Sequence, residues 1–539
     1  MNIFLKITSK TEEKHFVRQH VKAKRTKLNA STTQQLYGSI PQQLPIRMDI
    51  NTLGQLKAAN YQSLSVKDEL RKNLIQQLQN KEAGFEGILG YDETVIPELQ
   101  TAILSRHNVL LLGLRGQAKT RIARLMVNLL DEYIPYVAGS EIFDDPMNPI
   151  SWFAKNEIAQ KGDETPILWL HRSERYTEKL ATPDVTVADL IGDVDPIKAA
   201  TLKLTYNDER VIHFGLIPRA HRSIFVINEL PDLQARIQVA LFNMLQEKDI
   251  QIRGFKLRLP LDIQFVFTAN PEDYTNRGSI VTPLKDRIES QILTHYPKTV
   301  EISRKITFQE AKLTAEQRLI EADGLVKDLV EQVAFEARKS EYIDQKSGVS
   351  ARLTISAYEN LISNAERRML INHEKSTFVR LADLSGIIPA VTGKIELVYE
   401  GELEGPAKVA HTLIGKAIKH LFARYFPDPE RAKKSKKANP YTKITDWFTE
   451  GNTIDIADNL TISQYKKALM GVDGLHALVM QFHPKLSENQ TLLLMEFVLH
   501  GLAEFSQVSK NYLNGGFGFA DMFDSLFNSD LADEDEDFR

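Results

Sequence analysis

Gly113-Leu114-Arg115-Gly116-Gln117-Ala118-Lys119-Thr120 follows the apolar run Asn108-Val109-Leu110-Leu111-Leu112 and opens an amphipathic stretch over residues 119–132. The aliphatic run reads as a buried strand. In the stretch behind it, Ile122, Leu125, Met126, Leu129 and Leu130 share one helical face, so a helix is expected there. A glycine-bearing turn between strand and helix aims backbone N–H groups and the positive helix end at one point, which suits an anion. Gly113, Gly116, Gln117 and Ala118 would form a cradle for phosphate. Lys119 would reach the β- and γ-phosphates, and the Thr120 hydroxyl would bind Mg²⁺. The strict pattern has Gly at position 118, where backbone comes close to phosphate, and Ala118 adds one methyl group. Taken alone, the octapeptide also fits an ordinary strand–helix turn with a surface lysine.

Working outward, Ile224-Phe225-Val226-Ile227 is a second buried run, ending in Asn228-Glu229. Nucleotide hydrolases end such a strand in Asp-Glu, the Asp supporting Mg²⁺ and the Glu polarising the attacking water. Asn228 keeps the shape and an acceptor oxygen but not the charge; Glu229 is the candidate base. Phe265-Val266-Phe267-Thr268 ends in Ala269-Asn270-Pro271, and an Asn at that strand tip suits orientation of the lytic water. Arg287, in Pro283-Leu284-Lys285-Asp286-Arg287, is a candidate to reach a neighbouring subunit's γ-phosphate, with a surface ion pair to Asp286 as the plain alternative. Arg352, in Ser350-Ala351-Arg352-Leu353, begins a helix and either contacts nucleotide or is solvated. Each feature is weak alone; their order along the chain is the argument.

Between residues 94 and 297 short apolar runs alternate with helices, which implies an α/β core with a parallel sheet covered on both faces. Residues 250–259 alternate around Gly254 and read as a β-hairpin. Residues 66–80 place Leu70, Leu74 and Leu78 at helical spacing. Beyond residue 300 the pattern is helical. The expected organisation is a basic, loosely ordered extension (1–47), a helical segment (48–86), the α/β core (87–298), a helical lid (299–372), a mostly helical C-terminal domain (373–514) and an acidic tail (515–539). Met48 is a candidate true start. Arg431, Lys433, Lys434, Lys436 and Lys437 suggest an exposed linker. Phe517, Phe519, Phe523 and Phe527 lie among acids, in either a disordered solubilising end or a segment that folds on a partner.

With 539 residues the chain calls for two to four domains, and 42% hydrophobic and 26% charged residues are ordinary for a globular protein. It holds no cysteine, which excludes disulfides, thiolate metal sites and a Cys nucleophile and fits a reducing, cytoplasmic location. No apolar run reaches the roughly 20 residues of a membrane span. A net charge of −4 makes a nucleic-acid partner unexpected.

These residues resemble the AAA+ ATPases of the magnesium-chelatase small-subunit and MoxR-like group over roughly residues 87–368. The most specific stretch is Gly215-Leu216-Ile217-Pro218-Arg219-Ala220-His221-Arg222-Ser223-Ile224 running into Asn228-Glu229-Leu230. Thr182 to Pro196, with Asp189-Leu190-Ile191-Gly192, is similar to the family's inserted segment, and residues 250–259 to its pre-sensor hairpin. The resemblance implies ATP and Mg²⁺ as cofactors. It gives Lys119 and Thr120 the Walker A roles, Glu229 the Walker B role, Asn270 that of sensor 1, Arg287 the arginine finger and Arg352 sensor 2. It also implies a homo-oligomeric ring, usually a hexamer, and a partner with a von Willebrand factor A domain. The function it implies is remodelling of a protein client or assistance to a metallochelatase. A nucleotide-binding scaffold with little turnover is the alternative that Ala118 and Asn228 suggest. An ATPase-type transcriptional regulator is disfavoured, because neither a Gly-Ala-Phe-Thr-Gly-Ala loop nor a basic recognition helix is found.

Overall fold

The computed structural model describes residues 49–522 except 83, 206–207, 248, 252–257, 272–278, 435–437 and 514. The expected extension 1–47, the hairpin tip, Lys436, Lys437 and residues 523–539 of the tail lie outside the described residues.

Five strands form one sheet: β1 (Val109–Leu112), β2 (Tyr176–Leu180), β3 (Ser223–Asn228), β4 (Ile263–Ala269) and β5 (Ser290–Leu293), in the order β5-β1-β4-β3-β2. Every neighbouring pair is parallel. Central β3 and β4 are buried along their whole length, as continuous apolar strands must be when both faces are covered. Alternate side chains go to opposite faces. Phe225, Ile227, Phe265 and Phe267 pack with Leu230, Ile237 and Leu241 on one face. Ile224, Val226, Val109 and Leu111 meet three helices on the other: α1 (Val66–Asn80), α2 (Val95–Leu104) and α3 (Lys119–Leu125).

Local chemistry sets the element ends. The Ser65 hydroxyl accepts from Asp68 N to cap α1. Leu70 and Leu74 are buried, whereas Leu78, in the last turn before the Lys81 cap, is 42% exposed. The helix expected over 119–132 is shorter: α3 stops at Leu125, and Met126–Leu129 is a 3₁₀ turn into the strand Tyr133–Val137. Its apolar face is still buried, through Ile122, Met126, Leu129 and Leu130. Asp249–Gln251 and Arg258–Pro260 pair antiparallel, as the hairpin reading requires.

Beyond the sheet run the helices α4 (Val300–Glu310), α5 (Gly324–Ala337), α6 (Arg352–Ile371), α7 (Pro406–Tyr425) and α8 (Glu488–Glu504). Lid and C-terminal region share one hydrophobic core that extends from Ile320 to Phe519. Arg431, Lys433 and Lys434 of the expected linker lie in a short helix, Pro429–Lys434. The C-terminal region also holds a three-stranded antiparallel sheet with Gly516–Ala520 at its centre, between Ile454–Ala457 and Ser509–Leu513. The expected tail is therefore corrected at its start: Phe517 and Phe519 are buried in the core rather than solvated. The glycine run marks a close approach. A Cβ on Gly516, whose φ is +145°, would lie 2.3 Å from Ile456 O on the neighbouring strand. The architecture is thus α/β, a parallel-sheet core with a helical lid, followed by a mostly helical C-terminal region. Among the described residues no helix is long and apolar enough to cross a membrane.

Candidate functional site

Because β4 lies between β1 and β3, the loop after β1 and the tips of β4 and β3 meet at the carboxyl edge of the sheet, where ligands of open α/β sheets bind. A cavity of about 600 Å³ opens there. Its walls include Gly116, Gln117, Ala118, Lys119, Thr120, Asn228, Glu229, Asn270 and Arg352. That volume suits a ligand of nucleotide size. Ile88, Tyr91, Ile306 and Ile355 give it an apolar wall between the 87–91 segment and the lid.

The loop after β1 is held from several sides. Gly116 has φ +73°, and a Cβ there would lie 2.1 Å from the Ser350 hydroxyl, so only glycine lets the loop approach the start of the lid. The Tyr91 hydroxyl, pushed up to about 12 by burial and so a firm donor, lies 3.0 Å from Gln117 O and 2.7 Å from His295 O. Thr294 donates to Gln117 Oε1 at 2.7 Å. Ala118 sits in the left-handed region (φ 58°, ψ 15°) just before α3. The strict Gly at this position thus has a backbone reason as well as a steric one, since left-handed alanine costs about 1–2 kcal/mol.

Lys119 curls back over the loop. Its ammonium donates to the Gly113 carbonyl, to Leu114 O at 2.9 Å and to Asn270 Oδ1 at 2.8 Å. The Thr120 hydroxyl donates to Asn228 Oδ1 at 3.3 Å, and Thr268 donates to the same oxygen at 3.0 Å. Glu229 is itself left-handed (φ 56°, ψ 49°), with its N–H donated to the Thr268 hydroxyl at 3.1 Å. A non-glycine residue held in this sparse region is the kind of strain that collects at functional sites. Arg352, exposed at the start of α6, lines the cavity from the lid. The lid is fastened to α3 by the Arg121–Glu310 ion pair, and Gln309 donates to Gly87 O at 2.8 Å.

The structure therefore gathers Gly116, Gln117, Ala118, Lys119, Thr120, Asn228, Glu229, Asn270 and Arg352 around one cavity, and Gly113 adjoins them through its carbonyl. It does not bring Arg287 there. That guanidinium donates to Gln246 Oε1 (3.0 Å) and Pro283 O (2.7 Å) and lies over the Phe242 ring; no bond to Asp286 is among these contacts. Two residues that the sequence reading passed over also join the site: Thr268, within an apolar run, and Glu178 on edge strand β2. Tyr176-Thr177-Glu178-Lys179-Leu180 has no apolar run; its only signal is the β-branched and aromatic start.

The donor set fits nucleotide and magnesium. The Lys119 ammonium, donating to two loop carbonyls and to Asn270 Oδ1, puts its charge beside the loop, where phosphate oxygens could take the place of those acceptors. Among the described residues no group of three or more acids and histidines could hold a metal alone. Mg²⁺ in such sites keeps its waters and takes its remaining ligands from phosphate and few side chains, which Thr120 and Asn228 can supply.

No family model matches the sequence. Among solved structures, the chain is similar to NtrX from Brucella abortus (13% identity, 69% of this chain and 71% of that one, TM-score 0.32). It is similar also to a RuvB mutant from Thermotoga maritima (10%, 71% and 96%, TM-score 0.33). A third is a complex of the magnesium chelatase subunits BchI and BchD (19%, 59% and 98%, TM-score 0.31). Core and lid together are a five-stranded parallel sheet in the order β5-β1-β4-β3-β2 with a helical lid over the loop that follows β1.

Proposed function

We propose that the protein binds and hydrolyses ATP with Mg²⁺. The observation that carries this reading is the convergence of Lys119, Thr120, Asn228, Glu229, Asn270 and Arg352 on one nucleotide-sized cavity at the sheet's carboxyl edge. Loop N–H groups and Lys119 bind the β- and γ-phosphates. The Thr120 hydroxyl and Asn228 Oδ1 would hold Mg²⁺, which would supply neutralising charge to the phosphates. Glu229 takes the proton of the attacking water, and Asn270, already hydrogen-bonded to Lys119, orients that water. Arg352 closes the site from the lid.

Arg287, being outside the cavity of its own chain, acts on a neighbour's nucleotide in a homo-oligomeric ring, a hexamer by resemblance to the magnesium-chelatase and MoxR-like group. A von Willebrand factor A-domain partner, with client remodelling or metallochelatase assistance, belongs to the same reading. A scaffold with little turnover is the second reading, favoured by the left-handed Ala118 and the uncharged Asn228.

ATP turnover with Mg²⁺ is the test, run on wild type, Glu229→Gln and Arg287→Ala. Loss of turnover by about 10³-fold or more in Glu229→Gln with ATP binding retained supports hydrolysis through Glu229. Nucleotide binding without measurable turnover in wild type supports the scaffold. Turnover in Arg287→Ala at the wild-type level contradicts the ring role of that residue.

A further inference from the structure

Asn228 stands where hydrolases of this type carry an aspartate, and its surroundings explain the exchange. Register places Glu178 of β2 opposite Val226 of β3, so Glu178 shares a sheet face with Asn228. Glu178 Oε1 accepts from Asn228 Nδ2 at 2.6 Å. Its other oxygen accepts from the Tyr176 hydroxyl at 3.0 Å and from Arg124 at 3.0 Å. A carboxylate only accepts, so Glu178 fixes which way the Asn228 amide faces. The NH₂ group turns to Glu178, and Oδ1 turns to the Thr120 and Thr268 hydroxyls, on the metal side of the site.

We propose that Glu178 and Asn228 together replace the single aspartate: Glu178 carries the negative charge, and Asn228 presents the oxygen. Glu178 is a positioning residue that acts on the metal side through the amide. The pair is mutually exclusive with the usual aspartate. An Asp at 228 would set two carboxylate oxygens within hydrogen-bond distance with no proton donor between them, and both would be pushed apart. Arg124, one helical turn beyond Thr120 and itself lining the cavity, holds Glu178 in place. Its own guanidinium is held more firmly protonated by the hydrogen bond to Glu178.

This inference rests on the proposed nucleotide site and reverses a simple expectation. Restoring the aspartate should harm the site, and moving the charge should repair it. The measurement is the affinity of the full-length protein for ATP, with 5′-diphosphate as a second probe, each titrated with and without Mg²⁺. It is made on wild type, Lys119→Ala, Asn228→Asp, Glu178→Gln and the double exchange Glu178→Gln/Asn228→Asp, all matched for thermal midpoint. The expected result is that Asn228→Asp and Glu178→Gln each lose about ten-fold of the Mg²⁺-dependent affinity, a common size for groups that orient metal ligands. Each loss is larger with Mg²⁺ than without it, and the double exchange returns to within about two-fold of wild type, a coupling that independent sites do not show. Asn228→Asp binding Mg-nucleotide as well as or better than wild type overturns the inference, as does a double exchange no better than either single change. Wild-type affinity unaltered by Lys119→Ala instead removes the nucleotide site itself, a separate failure that takes the inference with it.

Discussion

Two polar clusters of this chain are built in opposite ways. At the sheet edge Lys119, Thr120, Asn228, Glu229 and Asn270 face an open cavity, and two of the backbone positions around it, Ala118 and Glu229, are held left-handed. In the helical half two carboxylates, Asp383 and Glu496, are buried and filled. Asp383 takes both prongs of Arg368 at 3.1 and 2.8 Å and the Arg380 N–H at 2.8 Å. Glu496 takes Leu381 N, Ala382 N and the Tyr465 hydroxyl at 2.7–2.9 Å. The Arg380 guanidinium, only partly hydrogen-bonded, lies 4.3 Å over the Tyr465 ring. Left-handed Ala118 and Glu229 thus border the cavity, whereas the hydrogen-bonded carboxylates Asp383 and Glu496 tie together the frame that presents it. Arg368 lies near the end of α6, the helix whose first residue lines the cavity, so the frame and the site share one rigid element.

The largest effect is expected at that junction. Arg368→Ala strands buried Asp383 and should cost about 3–5 kcal/mol in denaturant unfolding. A loss under about 1 kcal/mol, the size of an exposed pair, would erase the contrast between frame and site. Glu496 comes next. Burial pushes its carboxyl up to about 7 from 4.5. The protonated form is therefore favoured in the folded state. Its contribution is fully present below the unfolded value and is lost as pH rises through about 7. Wild type should lose stability between about pH 4.5 and 7, and Glu496→Gln should flatten that slope; equal slopes would contradict it. The smallest effect belongs to the site. Ala118→Gly removes the left-handed penalty and should stabilise the fold by about 1 kcal/mol, less what glycine gains in unfolded-chain entropy. Destabilisation by that change would mean that the loop does not hold the left-handed turn.

Much of the site was legible because phosphate chemistry is local in sequence: a strand, a turn and a helix end within a dozen residues give the loop its direction. Lys119, Thr120, Asn228, Glu229, Asn270 and Arg352 were all readable as tips of apolar runs or starts of helices, and the parallel sheet follows from the alternation of those runs. Glu178 was not readable, because an edge strand that is only partly buried has no apolar run, and its meaning comes only from the register with β3. Phe517 and Phe519 misled for the converse reason. Their glycine neighbours and the acids that follow look like solvated chain, yet the strand is completed by partners some 60 residues away and immediately before it. Ala118 showed a missing glycine but not the φ that makes the glycine matter.

The central claim is that Lys119 and the loop around it form a nucleotide-phosphate site. Calorimetric titration of the full-length protein with ATP and Mg²⁺, beside Lys119→Ala, addresses it directly. Saturable binding at one site per chain, weakened by about a hundred-fold or more when the ammonium that faces the phosphates is removed, is the expected result. Absence of binding in the wild-type protein, or equal binding in Lys119→Ala, would contradict it.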